Sequence, residues 1–118
     1  MEPVYAENGQ VAAWFEDELV RDLGGQVRLF LMGDLLVSTD GRARGFLRGG
    51  WIRGLDGRAV GFLDGATGSG PVRPVRGVRP VRPVRGVRPV RPVKPVRPVT
   101  PVTQLSWSKT ALAAWISG

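Results

Sequence analysis

The chain has 118 residues, with 17 Lys and Arg against 10 Asp and Glu for a formal net charge of +7, and it contains neither Cys nor His. That composition excludes a disulfide framework, a Cys/His zinc site, a cysteine nucleophile and a histidine acid/base pair. The length accommodates one domain at most, no run approaches the ~20 apolar residues of a membrane span, and the acidic start Met-Glu-Pro-Val-Tyr-Ala-Glu lacks the pattern of a secretory signal, which points to a cytoplasmic protein.

The N-terminal half is a repeat. Gly9, Gly25, Gly41 and Gly57 stand sixteen residues apart and divide residues 4–67 into four units. Five before each glycine lie Val4, Val20, Leu36 and Ile52, and five after it Trp14, Phe30, Phe46 and Phe62. The residue pairs Asn8-Gly9, Gly24-Gly25, Asp40-Gly41 and Asp56-Gly57 fall between apolar runs, and three of them are the Asn-Gly or Asp-Gly signal of a tight hairpin with positive φ at both central positions. Asp40 and Asp56 are accordingly turn residues rather than catalytic carboxylates. Glu16-Asp17-Glu18, Met32-Gly33-Asp34, Arg48-Gly49-Gly50 and Asp64-Gly65-Ala66 supply a second turn per unit, so the spacing predicts an eight-strand meander of four antiparallel hairpins.

Strand alternation assigns the faces. Positions two, four and six after the glycine, such as Val11, Ala13 and Phe15 or Val27, Leu29 and Leu31, form the expected core face. The opposite parity ends in the aromatic column Trp14, Phe30, Phe46 and Phe62, which needs a separate cover. Gly45 and Gly61 in mid-strand predict a close approach by neighbouring backbone or a ring. A single hairpin is marginal in water, so all four units are needed for folding.

Asp40 to Leu47 and Asp56 to Leu63 share the pattern Asp-Gly-Arg-x-x-Gly-Phe-Leu, and the tail carries Leu105-Ser106-Trp107-Ser108 before a short helical stretch. These residues resemble the bacterial 4-fold beta-flower domain. The resemblance implies an all-β fold of four hairpins about a pseudo-fourfold axis, and it implies no particular activity. The expected organisation is a repeat domain over 3–67, a Pro-Val-Arg linker over 68–103 and a C-terminal segment over 104–118 whose helix docks on the repeats.

From Pro71 to Thr103 run eleven triplets of Pro or Gly, then Val, then Arg, Lys or Thr. Arg73, Arg76, Arg79, Arg82, Arg85, Arg88, Arg91, Lys94 and Arg97 make nine positive charges with no acid among them, so the basicity of the chain resides in this tract. Proline at nearly every third place excludes a helix or a central strand and predicts polyproline II, which at ~3.1 Å per residue extends thirty-three residues to ~100 Å. Gly77 and Gly86 are the only glycines at the first triplet position, which excludes a collagen helix. Three readings follow: a semi-rigid solvated linker, a cationic row for nucleic acid or an anionic surface, or an Arg edge folded back on acids such as Glu16, Asp17 and Glu18.

In the tail, Lys109 to Ile116 reads as a helix with Ser108 as N-cap, Trp107 stapled to Leu112 and Gly118 beyond its end. Leu112, Trp115 and Ile116 share one face, and so short a helix must dock. The aromatic column is the expected acceptor, which gives Trp14, Phe30, Phe46, Phe62, Trp107 and Trp115 a structural role.

Chemistry is sparse. Ser38, Ser69, Ser106, Ser108 and Ser117 have no histidine to activate them, Glu16, Asp17 and Glu18 lack the ligand alternation of a calcium loop, and the glycines belong to hairpins rather than phosphate loops. No catalytic, metal or cofactor residue is expected. The leading expectation is a non-enzymatic repeat module that scaffolds interactions with a protein partner. Its alternatives are binding of nucleic acid or an anionic surface through the nine cations, and a small-ligand or glycan site at the aromatic column.

Overall fold

The fold follows from the sixteen-residue unit, each copy of which becomes two antiparallel strands. In the computed structural model, which describes residues 1–68 and 70–117, the strands are β1 (Glu2–Tyr5), β2 (Val11–Glu16), β3 (Leu19–Arg21), β4 (Val27–Met32), β5 (Leu35–Ser38), β6 (Ala43–Arg48), β7 (Trp51–Gly54) and β8 (Ala59–Phe62). They pair in chain order, and β8 returns to β1 through Tyr5 and Phe62 to close a barrel. One helix, α1 (Leu112–Ser117), completes the regular elements among the described residues. Ser69 and Gly118, the latter expected just past the helix, lie outside those residues.

The two kinds of turn are exchanged relative to expectation. At the anchor glycines the amides of Gly9, Gly25, Gly41 and Gly57 donate to Ala6, Asp22, Ser38 and Gly54 at 2.9 to 3.1 Å, three residues back. These glycines take φ between 81° and 88°, whereas Asn8, Gly24, Asp40 and Asp56 have no positive φ. Each hairpin is therefore a three-residue loop whose glycine occupies the left-handed position, and not the two-residue turn that needs positive φ twice. The two-residue turns lie between units instead. There Asp17 (φ 50), Glu18 (φ 61), Gly33 (φ 67), Gly49 (φ 58) and Gly50 (φ 83) are left-handed.

A bulge rewrites the faces. In every hairpin the register slips by one residue: Val4 faces Ala13 but Tyr5 faces Val11, and the same slip recurs at Val20/Arg21, Leu36/Val37 and Ile52/Arg53. A one-residue slip sends the following side chains to the other face. Val11, Val27 and Ala59, expected in the core column, therefore pack with the aromatics, while Val60 joins the central cluster. That central cluster comprises Val4, Ala13, Val20, Leu29, Leu36, Ile52, Val60 and Leu63 with Leu112 and Ile116 of α1.

The aromatic column is split in two. Trp14 and Phe62 pack with Tyr5 and Trp51, and Phe30 and Phe46 with Leu19, Leu35 and Val37. Contrary to the expectation drawn from strand alternation, the helix does not cover these rings; it docks on the opposite, central face, where the strands offer small residues. A Cβ on Gly61 would lie 2.9 Å from Leu112 Cδ2, and one on Gly45 would lie 2.9 Å from the Trp115 ring. Gly45 and Gly61 are thus the close approaches expected, made by neighbouring backbone as well as by the C-terminal helix: a Cβ would lie 2.0 Å from Arg53 O at Gly45 and 2.9 Å from Tyr5 O at Gly61. Trp107 packs against Trp51 and Phe62, with ring centroids 5.8 and 6.1 Å away, so its ring lies with the aromatics rather than stapling the helix. Ser108 accepts from the Thr110 amide at 3.2 Å, and the helix begins only at Leu112, so Ser108 is not its N-cap.

Candidate functional site

The basic tract holds no helix or strand from residue 71 to residue 103, yet it follows the barrel. The molecule measures 37 × 36 × 22 Å. A disc of that width has a perimeter of ~110 Å, close to the ~100 Å that thirty-three extended residues span. The tract meets the hairpin loops in order. The Gly77 amide donates to Gly9 O at 2.7 Å, Gly86 to Gly25 O at 3.0 Å, and Gln104, just after the tract, to Gly57 O at 3.1 Å. Those three donors fall on a nine-residue spacing matched to the sixteen-residue spacing of the loops. The third position of the series, Pro95, has no N–H to give.

This explains the two glycines of the tract physically. Proline fixes the extended backbone everywhere except where an amide must bond to the barrel. It also explains the anchor glycines, since a Cβ on Gly9, Gly25 or Gly57 would lie 2.1 Å from the carbonyl oxygen of Val75, Val84 or Val102. At Gly41 the nearest such atom is the Pro92 Cβ at 3.7 Å, so the strap passes less closely there.

Two buried arginines reinforce the contact, and sequence reasoning missed both. Arg21 Nη1 donates to Gly25 O at 2.7 Å and to Gly86 O at 3.1 Å, and Arg53 Nη1 donates to Gly57 O and Gln104 O, both at 2.8 Å. Arg21 is 5 % and Arg53 6 % exposed. Each guanidinium ties a loop carbonyl to a strap carbonyl in the second and fourth units. Tyr5 and Val37 hold the same position in the first and third. Burial pulls the pKa of Arg53 below its ordinary value. The available signal was an arginine four residues before the anchor glycine in an otherwise apolar strand.

Six of the nine expected cations have partners on the barrel. Arg73 donates to Ala66 O at 2.9 Å, Arg76 and Arg79 pair with Asp64 at 2.7 and 2.6 Å, and Arg85 forks onto Glu16. Arg91 donates to Leu31 O at 3.2 Å with Glu18 4.0 Å away, and Arg97 donates to Asp34 at 3.0 Å while lying 5.0 Å above the Phe46 ring. The Arg85 hydrogen bond holds the Glu16 carboxyl well below its ordinary 4.5, at about 2, and Arg97 lowers that of Asp34. Arg82, Arg88 and Lys94 have no hydrogen-bond or ion-pair partner among the described residues.

The first residue of every triplet except Pro80 is half-buried against the barrel, whereas the valines face outward. All eleven, from Val72 to Val102, are 80 to 94 % exposed. The rings of Trp14, Phe30, Phe46 and Phe62 are at most 1 % exposed, which leaves no face on which a sugar could stack.

No group of three or more metal-ligating side chains occurs among the described residues, and no helix there is long and apolar enough to cross a membrane. No curated protein and no solved structure matches the chain. A family model described as 4-fold beta flower protein matches residues 2–116, strap and tail included, and the chain belongs to that 4-fold beta flower family.

Proposed function

We propose that this beta flower is a non-enzymatic interaction module whose strap is a built part of the domain and presents a curved rim to a protein partner with an acidic, partly apolar surface. The observation that carries this reading is the outward row of valines interspersed with Arg82, Arg88 and Lys94. A continuous apolar row of this length is unusual on a monomer surface and is a signature of interaction sites. Three cations without internal partners set the charge of what would lie against it. The absence of His and Cys from the sequence, and the engagement of Glu16, Asp34 and Asp64 in ion pairs, support a role without catalysis.

Nucleic acid is the second reading, and the same three cations favour it. The two separate by salt dependence. A duplex contacting only Arg82, Arg88 and Lys94 gives a log–log salt slope of about −3, against about −8 if all nine cations engaged phosphates. Labelled duplex DNA, single-stranded RNA and an acidic peptide containing leucines are titrated against the full chain at two salt concentrations. The interaction reading predicts peptide binding that is lost both in the Arg82→Gln/Arg88→Gln/Lys94→Gln variant and in Val87→Ser/Val90→Ser. Peptide binding indifferent to both variants, or saturation by duplex alone, refutes it.

A further inference from the structure

The register between strap and barrel pairs two columns. On the barrel, positions sixteen apart read Asp64, Glu16, Met32 and Arg48 in the order in which the strap passes them; on the strap, positions nine apart read Arg76, Arg85, Lys94 and Thr103. The first two rungs are ion pairs, Asp64 with Arg76 and Glu16 with Arg85. At the fourth rung the charge is inverted. The barrel offers an arginine, and the strap has changed from arginine to threonine.

Two cavities make the correspondence concrete. One, of about 490 Å³, is lined by Phe62, Asp64, Arg73, Pro74 and Arg76. The other, of about 430 Å³, is lined by Phe46, Arg48, Thr100, Pro101 and Thr103. The second set is the first displaced by one barrel unit and three strap periods; Val75, which also lines the first cavity, has no counterpart in the second. In the first cavity the carboxylate of Asp64 answers Arg76 and Arg79. The second is also lined by Trp51, Arg53 and Thr67, and no carboxylate lines it. Its Arg48 reaches sideways to Asp34 at 3.3 Å, a carboxylate already bonded to Arg97.

We infer that this cavity is a binding site for a small organic anion, whose carboxylate or phosphate group takes the place that Asp64 fills at the equivalent station. Arg48 supplies the charge, and Thr67, Thr100 and Thr103 supply hydroxyl donors. The volume suits a ligand of metabolite size. This site is separate from the outer rim and does not depend on what the rim binds.

The test is a titration of the full, isotope-labelled chain with inorganic phosphate, citrate and adenosine monophosphate, and with maltose as the neutral control, read from the Gly49 amide and Trp51 indole resonances. Saturable shifts at millimolar concentration with at least one anion support the site, and the anion that saturates first distinguishes phosphate from carboxylate. Arg48→Gln weakens that binding by about tenfold or more. The double variant Arg48→Asp/Thr103→Arg transplants the first station and abolishes it, with an unfolding midpoint no lower than that of the parent. No saturable shift with any anion, equal response to maltose, or unchanged affinity in the folded double variant overturns the inference.

Discussion

Replacing Gly86 with proline restores the Pro-Val-Arg triplet that the tract keeps almost everywhere else, and it separates a latched strap from a passive spacer. Gly86 does not have a positive φ, so the left-handed conformation that would bar proline is absent there. In a free tract the substitution stabilises by ~0.4–1 kcal/mol, because the unfolded chain loses conformations. In the observed structure the Gly86 amide lies 3.0 Å from Gly25 O, and the proline ring would occupy the space of the donated proton. The lost hydrogen bond costs ~0.5–1.5 kcal/mol net. Lifting the strap also weakens the 3.1 Å bond from Arg21 to Gly86 O, a charge-assisted contact of ~1.5–3 kcal/mol when intact. Gly25 O keeps Arg21 at 2.7 Å and is not orphaned. The balance is a destabilisation of ~1–3 kcal/mol, read by urea unfolding followed through tryptophan fluorescence. At the third station Pro95→Gly serves as the control and costs only the ~0.4–1 kcal/mol of added chain entropy. A Gly86→Pro variant as stable as the parent, or more so, refutes the latch.

Other expectations concern the charges, the turns and the helix. Hydrogen bonding from Arg85 holds Glu16 at about 2 in the folded protein against 4.5, so its stabilising contribution is complete above pH 4.5 and is lost as pH falls toward 2, with Asp34 acting in the same direction. Chemical unfolding across that window should show stability declining, and Glu16→Gln should flatten the decline. Asp17→Gly relieves a left-handed backbone at φ 50 and should raise stability by ~1 kcal/mol, measured by the unfolding midpoint. Leu112→Ala empties a fully buried site in the central cluster and should cost ~2–5 kcal/mol. Gly61→Ala sets a methyl 2.9 Å from both Leu112 and the Tyr5 carbonyl and should cost ~1–3 kcal/mol, with α1 loosened in hydrogen exchange.

The four anchor glycines made the hairpin repeat legible because a left-handed loop position tolerates little else. What they could not convey was the bulge beyond each loop. Alternation places Val11 with Ala13, and only the slip between Val4 and Tyr5 moves Val11 to the side of Trp14. The helix's acceptor was misassigned for the same reason: the column that needed cover was inferred from parity, while the small residues Ala13, Gly45 and Gly61 had already cleared the opposite face. In the tract, Gly77 and Gly86 exclude collagen when read alone. They become amide donors only when their nine-residue spacing, continued to Gln104, is set against the carbonyls of Gly9, Gly25 and Gly57. Arg21 and Arg53 were missed because each bonds main-chain oxygens, one in its own loop four residues on and one at the strap more than fifty residues along, and hydrophobic periodicity carries no information about those.

Residue-resolved amide hydrogen exchange on the intact chain tests most directly whether the strap is latched around the barrel. Gly77, Gly86 and Gln104 should exchange orders of magnitude more slowly than Val78, Val87 and the other tract amides, with protection approaching that of the β-strands. Uniformly fast exchange from residue 71 to residue 104 would contradict the account.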